Sequence, residues 1–227
     1  MRYYPVFLDL RGRPAVVIGG GAVAERKVGG LLAAGASVTV ISPRASKGIE
    51  ALAAGKRIRL VGRAYREGML EGAFIAVCAT GSKAANEAAR READKRGVLL
   101  NVVDDRERCD FIVPSVVDRG SLVIAISTSG CSPLFARKMR EGVEQAVGEE
   151  YAVFVEILGA VRKKLLKRNT NNVKKKRVFK ELVNSPIPGW LAAGVVKEVN
   201  GFLKDLLGDG YTLSGLGIRS KPLKKQP

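Results

Sequence analysis

Residues 16–24 read Val16-Val17-Ile18-Gly19-Gly20-Gly21-Ala22-Val23-Ala24. Three β-branched residues run into a G-x-G-x-x-A motif, and apolar residues then recur at helical spacing as far as residue 32. Gly19 permits a tight turn, Gly21 lets a phosphate approach the backbone, and the small Ala24 lets the helix lie close to the sheet. This order of strand, turn and helix predicts a dinucleotide-binding unit. The alternative is a glycine turn that binds no ligand.

The second strand of this unit ends without the residue that an NAD site usually has. Gly35 ends the predicted helix, and residues 36–41 are typical of a strand. An acidic residue commonly follows such a strand and binds the ribose hydroxyls, but Ser42-Pro43-Arg44 stand here instead. Arg44 is suited to the 2′-phosphate of NADP, and it is equally consistent with a solvated charge.

The composition narrows the class of protein. The chain has 227 residues, of which 46% are hydrophobic, so it can bury a core. It has no run of eighteen apolar residues and does not begin like a signal peptide, which predicts a soluble cytoplasmic protein with no membrane partner. Three cysteines without paired spacing argue against disulfides and a zinc cluster, and no metal ligands are predicted. Because histidine is absent, proton transfer must use another side chain.

The positive charge is concentrated toward the end of the chain. The formal net charge is +17, and residues 151–227 hold 16 Lys and Arg against 5 Asp and Glu. Such a field attracts polyanions. Nucleic acid and a small molecule with many carboxylates are both candidates.

Predicted strands and helices alternate through the first half of the chain. The first unit is followed by a strand over 57–61, a buried strand over 73–80, a helix over 86–96 and a strand over 98–103. This alternation predicts an α/β fold with a Rossmann-like parallel sheet, whose ligands lie at the carboxyl ends of the strands. Gly19, Thr80 and Asp104 all fall at such ends. Residues 1–112 are therefore assigned to an NAD-binding Rossmann domain.

The pattern changes after this domain. Strands over 111–117 and 122–127 form a hairpin, and Ser132-Pro133 then opens a helix. Because an isolated strand pair and a helix need a partner surface, residues 113–148 are predicted to be a small α+β dimerisation element of a homodimer. Three further assignments follow from the basic amphipathic pattern and the polar end: a basic helical domain over 149–219, a helix within it over 191–207, and a disordered tail over 220–227.

Two stretches have residues suited to chemistry. Asp104-Asp105 follows a buried strand, and we expect partial burial and the neighbouring charge to raise the pKa of Asp104, as a base near neutral pH requires. Both aspartates are equally typical of loop residues or helix caps. Residues 127–133 place hydroxyl groups at a helix entrance, where they could bind an anion or only cap the helix, and Ser132 is the best candidate for a pure cap.

Six stretches of the chain together match the motifs of one known family. They are Pro5–Leu10, Gly19–Lys27, Ala79-Thr80 with Asn86, Asn101–Asp104, Cys109–Ser115, and Ala125–Gly130 with Ser132-Pro133. In these stretches the chain resembles the precorrin-2 dehydrogenases of sirohaem synthesis, including the dehydrogenase and ferrochelatase half of bacterial sirohaem synthase. The likeness is close over about residues 1–145 and loose over the helical remainder. Without a methyltransferase domain after it, the chain resembles a stand-alone form.

The resemblance implies that the chain oxidises precorrin-2 to sirohydrochlorin with NAD⁺. It implies that Asp104 is the essential aspartate and that Ala22-Val23 and Pro43-Arg44 contact NAD, in a family that generally lacks the acidic ribose-binding residue. Precorrin-2 has eight carboxylates, which suits the basic surplus. Together with the motif, these expectations give Gly19, Gly21, Ala22, Val23, Pro43, Arg44 and Thr80 as cofactor-binding residues, and Asn101, Thr128 and Ser129 as substrate-binding residues.

Two questions stay open on the sequence. Some relatives also insert Fe²⁺ and others only oxidise, and sirohydrochlorin itself supplies four nitrogens to the metal, so Fe²⁺ is a candidate substrate that needs no protein metal site. The alternative class is an NAD(H)-sensing regulator that binds nucleic acid through its basic helices. We expect no nucleic-acid partner, because no pair of recognition helices is evident and Lys174 to Arg177 is typical of a solvated charge run.

Overall fold

A parallel sheet of five strands organises the first half of the chain. The computed structural model describes residues 3–167 and 172–218, and the chain divides between Val113 and Pro114 into two units. The sheet order is β3-β2-β1-β4-β5, with every pairing parallel, which confirms the predicted Rossmann-like fold. The strands are β1 (Pro14–Ile18), β2 (Ser37–Ile41), β3 (Arg59–Val61), β4 (Ile75–Cys78) and β5 (Leu99–Val102).

Helices cover both faces of this sheet. They are α1 (Ala22–Ala33), α2 (Lys47–Ala54) and α3 (Lys83–Arg96). Apolar residues of α1 and α2 pack into one cluster, and those of α3 pack into another. The sequence pattern did not predict α2. Helix α3 begins three residues before its expected start at residue 86, because the hydroxyl of Ser82 accepts a hydrogen bond from the Ala85 amide at 3.2 Å.

The strand register brings the predicted ligand-binding positions to one edge. Ile18 of β1 pairs with Cys78 of β4, and Cys78 pairs with Val102 of β5. Gly19, Thr80 and Asp104 each follow the end of one of these strands. They therefore lie along the edge formed by the carboxyl ends of the strands, as the sequence predicts.

The second unit begins with the predicted hairpin and continues as helices. β6 and β7 pair with each other in antiparallel register. The amide of Phe135 donates to the Ser132 hydroxyl at 3.2 Å, which confirms Ser132 as the cap of the following helix. The elements are β6 (Ser115–Arg119), β7 (Leu122–Ile126), α4 (Pro133–Ala146), α5 (Glu150–Leu166), α6 (Asn172–Val183), α7 (Ile187–Ala192) and α8 (Val196–Leu207).

The helical part differs from the prediction at one point. The single helix expected over 191–207 is wrong, because α7 ends at Ala192 and α8 begins at Val196. Gly194 lies between them at φ +72°, a left-handed conformation that ends a helix. Ile157, Val161 and Leu165 of α5 are buried together in one cluster, which fits the amphipathic pattern of this part of the chain. The boundary at residue 148 stays a prediction, and the tail over 220–227 lies outside the described residues.

The described residues also bear on membranes and cysteines. In residues 3–167 and 172–218, no helix has the length and apolar character needed to cross a membrane. Cys78, Cys109 and Cys131 are free thiols, and Cys78 is buried in the sheet as predicted.

Candidate functional site

The turn after β1 needs glycine at its first position. Gly19 has φ +122°, and a Cβ atom built there would lie 2.3 Å from the carbonyl oxygen of Ala79. Its amide donates to the carbonyl of Ile41 at 2.9 Å. The first turn is therefore locked between the ends of β2 and β4, where only a residue without a side chain fits.

Gly20 is a second such position, which the sequence analysis did not single out. A Cβ atom at Gly20 would lie 2.1 Å from the carbonyl oxygen of Arg44, and the Gly20 carbonyl accepts from the Ser46 amide at 2.7 Å. The Ser42 hydroxyl also donates to the Arg44 carbonyl, at 2.6 Å. These contacts hold Pro43 and Arg44, both exposed, beside the glycine turn. The middle position of G-x-G was the available signal.

Replacing Gly20 by alanine is expected to destabilise the fold by about 1–3 kcal/mol, since the new methyl group meets backbone that must move. Gly29 provides a matched control, because a Cβ there meets nothing within 4 Å and alanine favours the helix. Thermal unfolding of the two variants checks this. Equal unfolding temperatures for Gly20→Ala and Gly29→Ala would show that the close contact with Arg44 has no energetic cost.

The space beside Gly21, at the start of α1, is open and can accommodate a phosphate. Gly21 is the N-cap residue, and a Cβ atom there would meet nothing within 4 Å. Because glycine has no side chain to accept from the first turn, the amides of Ala22 and Val23 are left for an external acceptor. The positive end of the helix dipole adds to the attraction for an anion. The residues present therefore fit the pyrophosphate of a dinucleotide.

A cavity of about 570 Å³ lies at the carboxyl edge of the sheet, within the range of small-molecule sites. It brings Val23 of the phosphate-binding turn together with Thr80 and Asp104. Its walls come from α1, from the loops after β4 and β5, and from the start of α3. The lining residues are Val23, Ala79, Thr80, Gly81, Lys83, Asn86, Glu87, Val103, Asp104, Asp105 and Arg108.

Asp104 lies on the wall of this cavity in an unusual backbone conformation. Its φ is +62°, which non-glycine residues other than Asn and Asp seldom adopt. The expected partial burial is wrong, because the residue is exposed. The neighbouring Asp105 is paired with Arg108, whose guanidinium lowers the pKa of the Asp105 carboxyl. The two aspartates therefore have different surroundings. Among the ion pairs of the described residues, Asp105 has a neighbouring cation as its partner and Asp104 does not.

Lys27 is a further residue of this region that the sequence analysis did not assign. It lies one helical turn beyond Val23 and is half-buried. Burial lowers the pKa of its ammonium group, and Arg26 lowers it further, whereas Cys109 and Asp104 act in the opposite direction. The i, i+4 relation to Val23 on α1 was the signal that could have found it.

The predicted substrate-binding residues have internal partners. Asn101 is buried, and its side-chain amide donates to the Phe111 carbonyl at 2.9 Å. The Thr128 hydroxyl accepts from the Ser132 amide at 3.0 Å, and Ser129 has φ +52° in the same loop. Asn101 does not line the cavity. The roles of these three residues in binding substrate stay predictions.

Over residues 3–167 and 172–218, no group of three or more His, Cys, Asp or Glu side chains is arranged to hold a metal ion.

Two family descriptions match the chain. Residues 6–115 match the family described as "Putative NAD(P)-binding", and residues 119–146 match "Sirohaem biosynthesis protein central". The first match covers the whole parallel sheet, and the second covers β7 and α4. Neither description concerns nucleic acid, so the regulator alternative gains no support.

Curated relatives and a solved structure agree with these matches. Siroheme synthase 1 of Serratia proteamaculans is 41% identical over 181 residues, which is 80% of this chain and 38% of that protein. Siroheme synthase of Photobacterium profundum is 36% identical over 86% of this chain and 41% of its own length. The chain thus spans about two fifths of these relatives. The solved structure of SirC, a precorrin-2 dehydrogenase, has a TM-score of 0.75 and 29% identity, covering 90% of this chain and 98% of that one.

Proposed function

We propose, from the premise that this chain belongs to the sirohaem-synthase and precorrin-2 dehydrogenase family, that it oxidises precorrin-2 to sirohydrochlorin with NAD⁺. One observation supports this proposal most directly: a single cavity joins Val23, in the first turn of the helix after the glycine turn, to Asp104 after β5. A dinucleotide site and a carboxylate within reach of the same space are what an oxidation with loss of a proton requires. A cytoplasmic location is part of the proposal and agrees with the three free thiols.

Named residues would hold the cofactor. NAD⁺, when bound, supplies the acceptor for the hydride. Gly19 and Gly21 leave room for the pyrophosphate, and the amides of Ala22 and Val23 donate to it. Pro43 and Arg44, fixed beside the turn by Gly20, are positioned for the adenosine ribose. Thr80 lines the cavity toward Asp104 and is assigned to the other end of the cofactor.

Asp104 is assigned as the base. Oxidation of precorrin-2 removes one hydride, for which the nicotinamide is the acceptor, and one proton from the macrocycle. The Asp104 carboxylate accepts that proton and releases it to water, to which the exposed side chain has access. Orientation of the macrocycle against this carboxylate is the main task of the protein, since hydride chemistry belongs to the cofactor.

The charge of the chain suits the substrate. Precorrin-2 carries eight carboxylates, and the chain has a formal net charge of +17. A field of this sign raises the local concentration of a polyanion. We retain Asn101, Thr128 and Ser129 as proposed substrate-binding residues. Thr128 and Ser129 lie in the loop before α4.

Fe²⁺ would be a substrate and not a resident ion. The four nitrogens of sirohydrochlorin would coordinate it, and Asp104 is the carboxylate available to take the pyrrole protons. This chelation is a separate activity from the oxidation. Adding Fe²⁺ to sirohydrochlorin and the purified chain, and following the absorption spectrum of the macrocycle, measures it independently of NADH.

An anaerobic assay of the purified chain with precorrin-2 tests the proposed oxidation. The expected result is NADH formed in step with sirohydrochlorin when NAD⁺ is supplied. A parallel reaction with NADP⁺ measures the preference between the two dinucleotides, which bears on the role of Arg44. If neither dinucleotide is reduced by precorrin-2, the proposed function is wrong.

The second unit has an apolar surface consistent with a homodimer, which we include in the proposal. Large apolar side chains of the hairpin and α4 are exposed, among them Leu134 at 78% and Phe135 at 53%. Exposed apolar side chains of this size are typical of protein interfaces, and a hairpin with a helix needs a further surface for stability. The set consists of Val116, Val123, Leu134, Phe135 and Met139.

The double variant Leu134→Glu/Phe135→Glu is expected to convert the dimer to a monomer, since four buried charges at a symmetric interface are strongly unfavourable. Light scattering of the purified protein measures the mass. Leu166→Glu, a change of the same kind at an exposed residue of α5, is the control and should leave the mass unaltered. Equal masses for the wild type and the double variant would remove α4 from the interface.

A further inference from the structure

A groove between α5 and α6 has no role in the proposed chemistry. It belongs to the second unit and encloses about 730 Å³. Its lining combines an apolar floor with three cations, drawn from both helices. The apolar residues are Val155, Leu158, Gly159 and Phe179, and the cations are Arg162, Lys175 and Lys176.

The floor of the groove borders the core of the helical part. Leu158 and Phe179 are half-buried and pack against the buried cluster that contains Ile157 and Val161. Gly159 is exposed at the next position, and a Cβ atom there would meet nothing within 4 Å. The helix therefore leaves an open surface at Gly159, from which a ligand can approach the apolar side chains.

The cations at the rim are available for a ligand. Arg162 follows Leu158 by one helical turn, and Lys175 and Lys176 stand on α6. Within the described residues, none of the three forms an ion pair, whereas Arg177 on the same helix is paired with Glu181. Cations beside apolar surface attract an anion more strongly than cations surrounded by water do. Arginine also matches a carboxylate with two parallel hydrogen bonds.

We propose that this groove binds an anionic tetrapyrrole, with the ring on the apolar floor and its carboxylates at Arg162, Lys175 and Lys176. The class of ligand rests on the proposed function, since the substrate and product of that reaction are polycarboxylate macrocycles. Only a ligand with both an apolar face and several negative charges uses the whole lining. Nucleic acid, which needs cations spaced along a phosphate backbone, would leave the apolar floor without a partner.

Uroporphyrin III, a stable octacarboxylate, serves as the probe. It is titrated into the full chain at physiological salt without NAD⁺, and its fluorescence reports binding. Two changes are expected to weaken its affinity about tenfold or more: the triple variant Arg162→Gln/Lys175→Gln/Lys176→Gln, which removes the charges, and Gly159→Leu, which fills the groove. Leucine favours a helix more than glycine does, so Gly159→Leu is expected to fold.

The matched control removes the same charge from other helices of the same unit, α4 and α8, in the triple variant Lys138→Gln/Lys197→Gln/Lys204→Gln. These three side chains are not buried and do not line the groove. Its affinity should stay within about twofold of the wild type. Thermal unfolding and NAD⁺ affinity check that each variant is folded.

A DNA duplex is titrated in parallel as the competing class of polyanion. Four results would overturn the proposal: no binding of uroporphyrin to the wild type, an unchanged affinity in Gly159→Leu, an equal loss of affinity in the control variant, or a first triple variant that loses affinity for the duplex and keeps its affinity for uroporphyrin. The titration involves no turnover. Its failure therefore leaves the oxidation assay intact, and failure of that assay leaves the titration interpretable.

Discussion

Replacing Asp104 by asparagine is expected to lower kcat for precorrin-2 oxidation by about 10³-fold, within the range of 10²–10⁴ for a lost general base. Asparagine has the shape of aspartate and also tolerates the left-handed conformation at φ +62°, so the backbone of the cavity wall is retained. The variant removes only the basic oxygen. An alanine at the same position would add backbone strain, so a loss of rate could not be assigned to the missing carboxylate alone.

Asp105→Asn is the comparison that makes this experiment specific. Asp105 lines the same cavity, but Arg108 already occupies its carboxylate. We expect its loss of rate to be at least tenfold smaller than that of Asp104→Asn. Initial rates of NADH formation at saturating precorrin-2 provide the measurement, with NAD⁺ affinity as the check on the binding site. An Asp104→Asn rate equal to the wild type would assign the proton to another group.

Replacing Glu92 by alanine is expected to have the largest effect on stability, about 3–5 kcal/mol. Glu92 is a carboxylate on α3 that is only 1% exposed. Its oxygens accept from the Tyr65 hydroxyl at 2.6 Å, from the amides of Gly68 and Leu70 at 2.8 and 3.1 Å, and from Arg96 at 2.8 Å. Alanine would leave these donors without an acceptor inside the protein and would open a cavity.

The contribution of Glu92 also depends on pH. Burial alone raises the pKa of this carboxyl, but the hydrogen bonds from Tyr65, Gly68, Leu70 and Arg96 outweigh it and lower the pKa below its ordinary value. The folded state therefore keeps Glu92 ionised at pH values where the unfolded chain binds a proton. Its stabilisation is fully present above the unfolded pKa, about 4.3, and is lost as the pH falls through the lower folded pKa.

Denaturant unfolding of the wild type and of Glu92→Gln across this range measures the difference, which should narrow as the pH falls below about 4. Glu67→Gln is the control, because the Glu67–Lys95 pair is exposed to solvent and contributes little to stability. A difference for Glu92→Gln that stays constant with pH would show that the glutamate is not ionised in the folded state.

The parts of the fold that the sequence predicted correctly have local signals. The G-x-G-x-x-A motif marked the turn at Gly19, although the contacts that require glycine there come from Ile41 and Ala79. The cap at Ser132 is set by the Phe135 amide three positions away, and it lies where expected. The helix break at Gly194 has a local cause as well, but the apolar spacing from 191 to 207 concealed it. The positions of Thr80 and Asp104 followed from one topological rule, that ligands lie at the carboxyl ends of parallel strands.

The remaining features depend on contacts between distant parts of the chain. Gly20 is required by the Arg44 carbonyl, 24 residues further along, and Glu92 is required by the Tyr65 loop. No periodicity marks either residue, because each is explained by a group on another element. Asn101 has a partner further along the chain as well, since its side-chain amide donates to the Phe111 carbonyl.

A crystal structure with NAD⁺ bound is the most direct test of the account. We expect the pyrophosphate to lie over the amides of Ala22 and Val23. The nicotinamide is expected in the cavity that Asp104 lines. The reactive ring should then share that space with the Asp104 carboxylate. A nicotinamide bound outside this cavity, or a dinucleotide bound away from the glycine turn, would contradict the account.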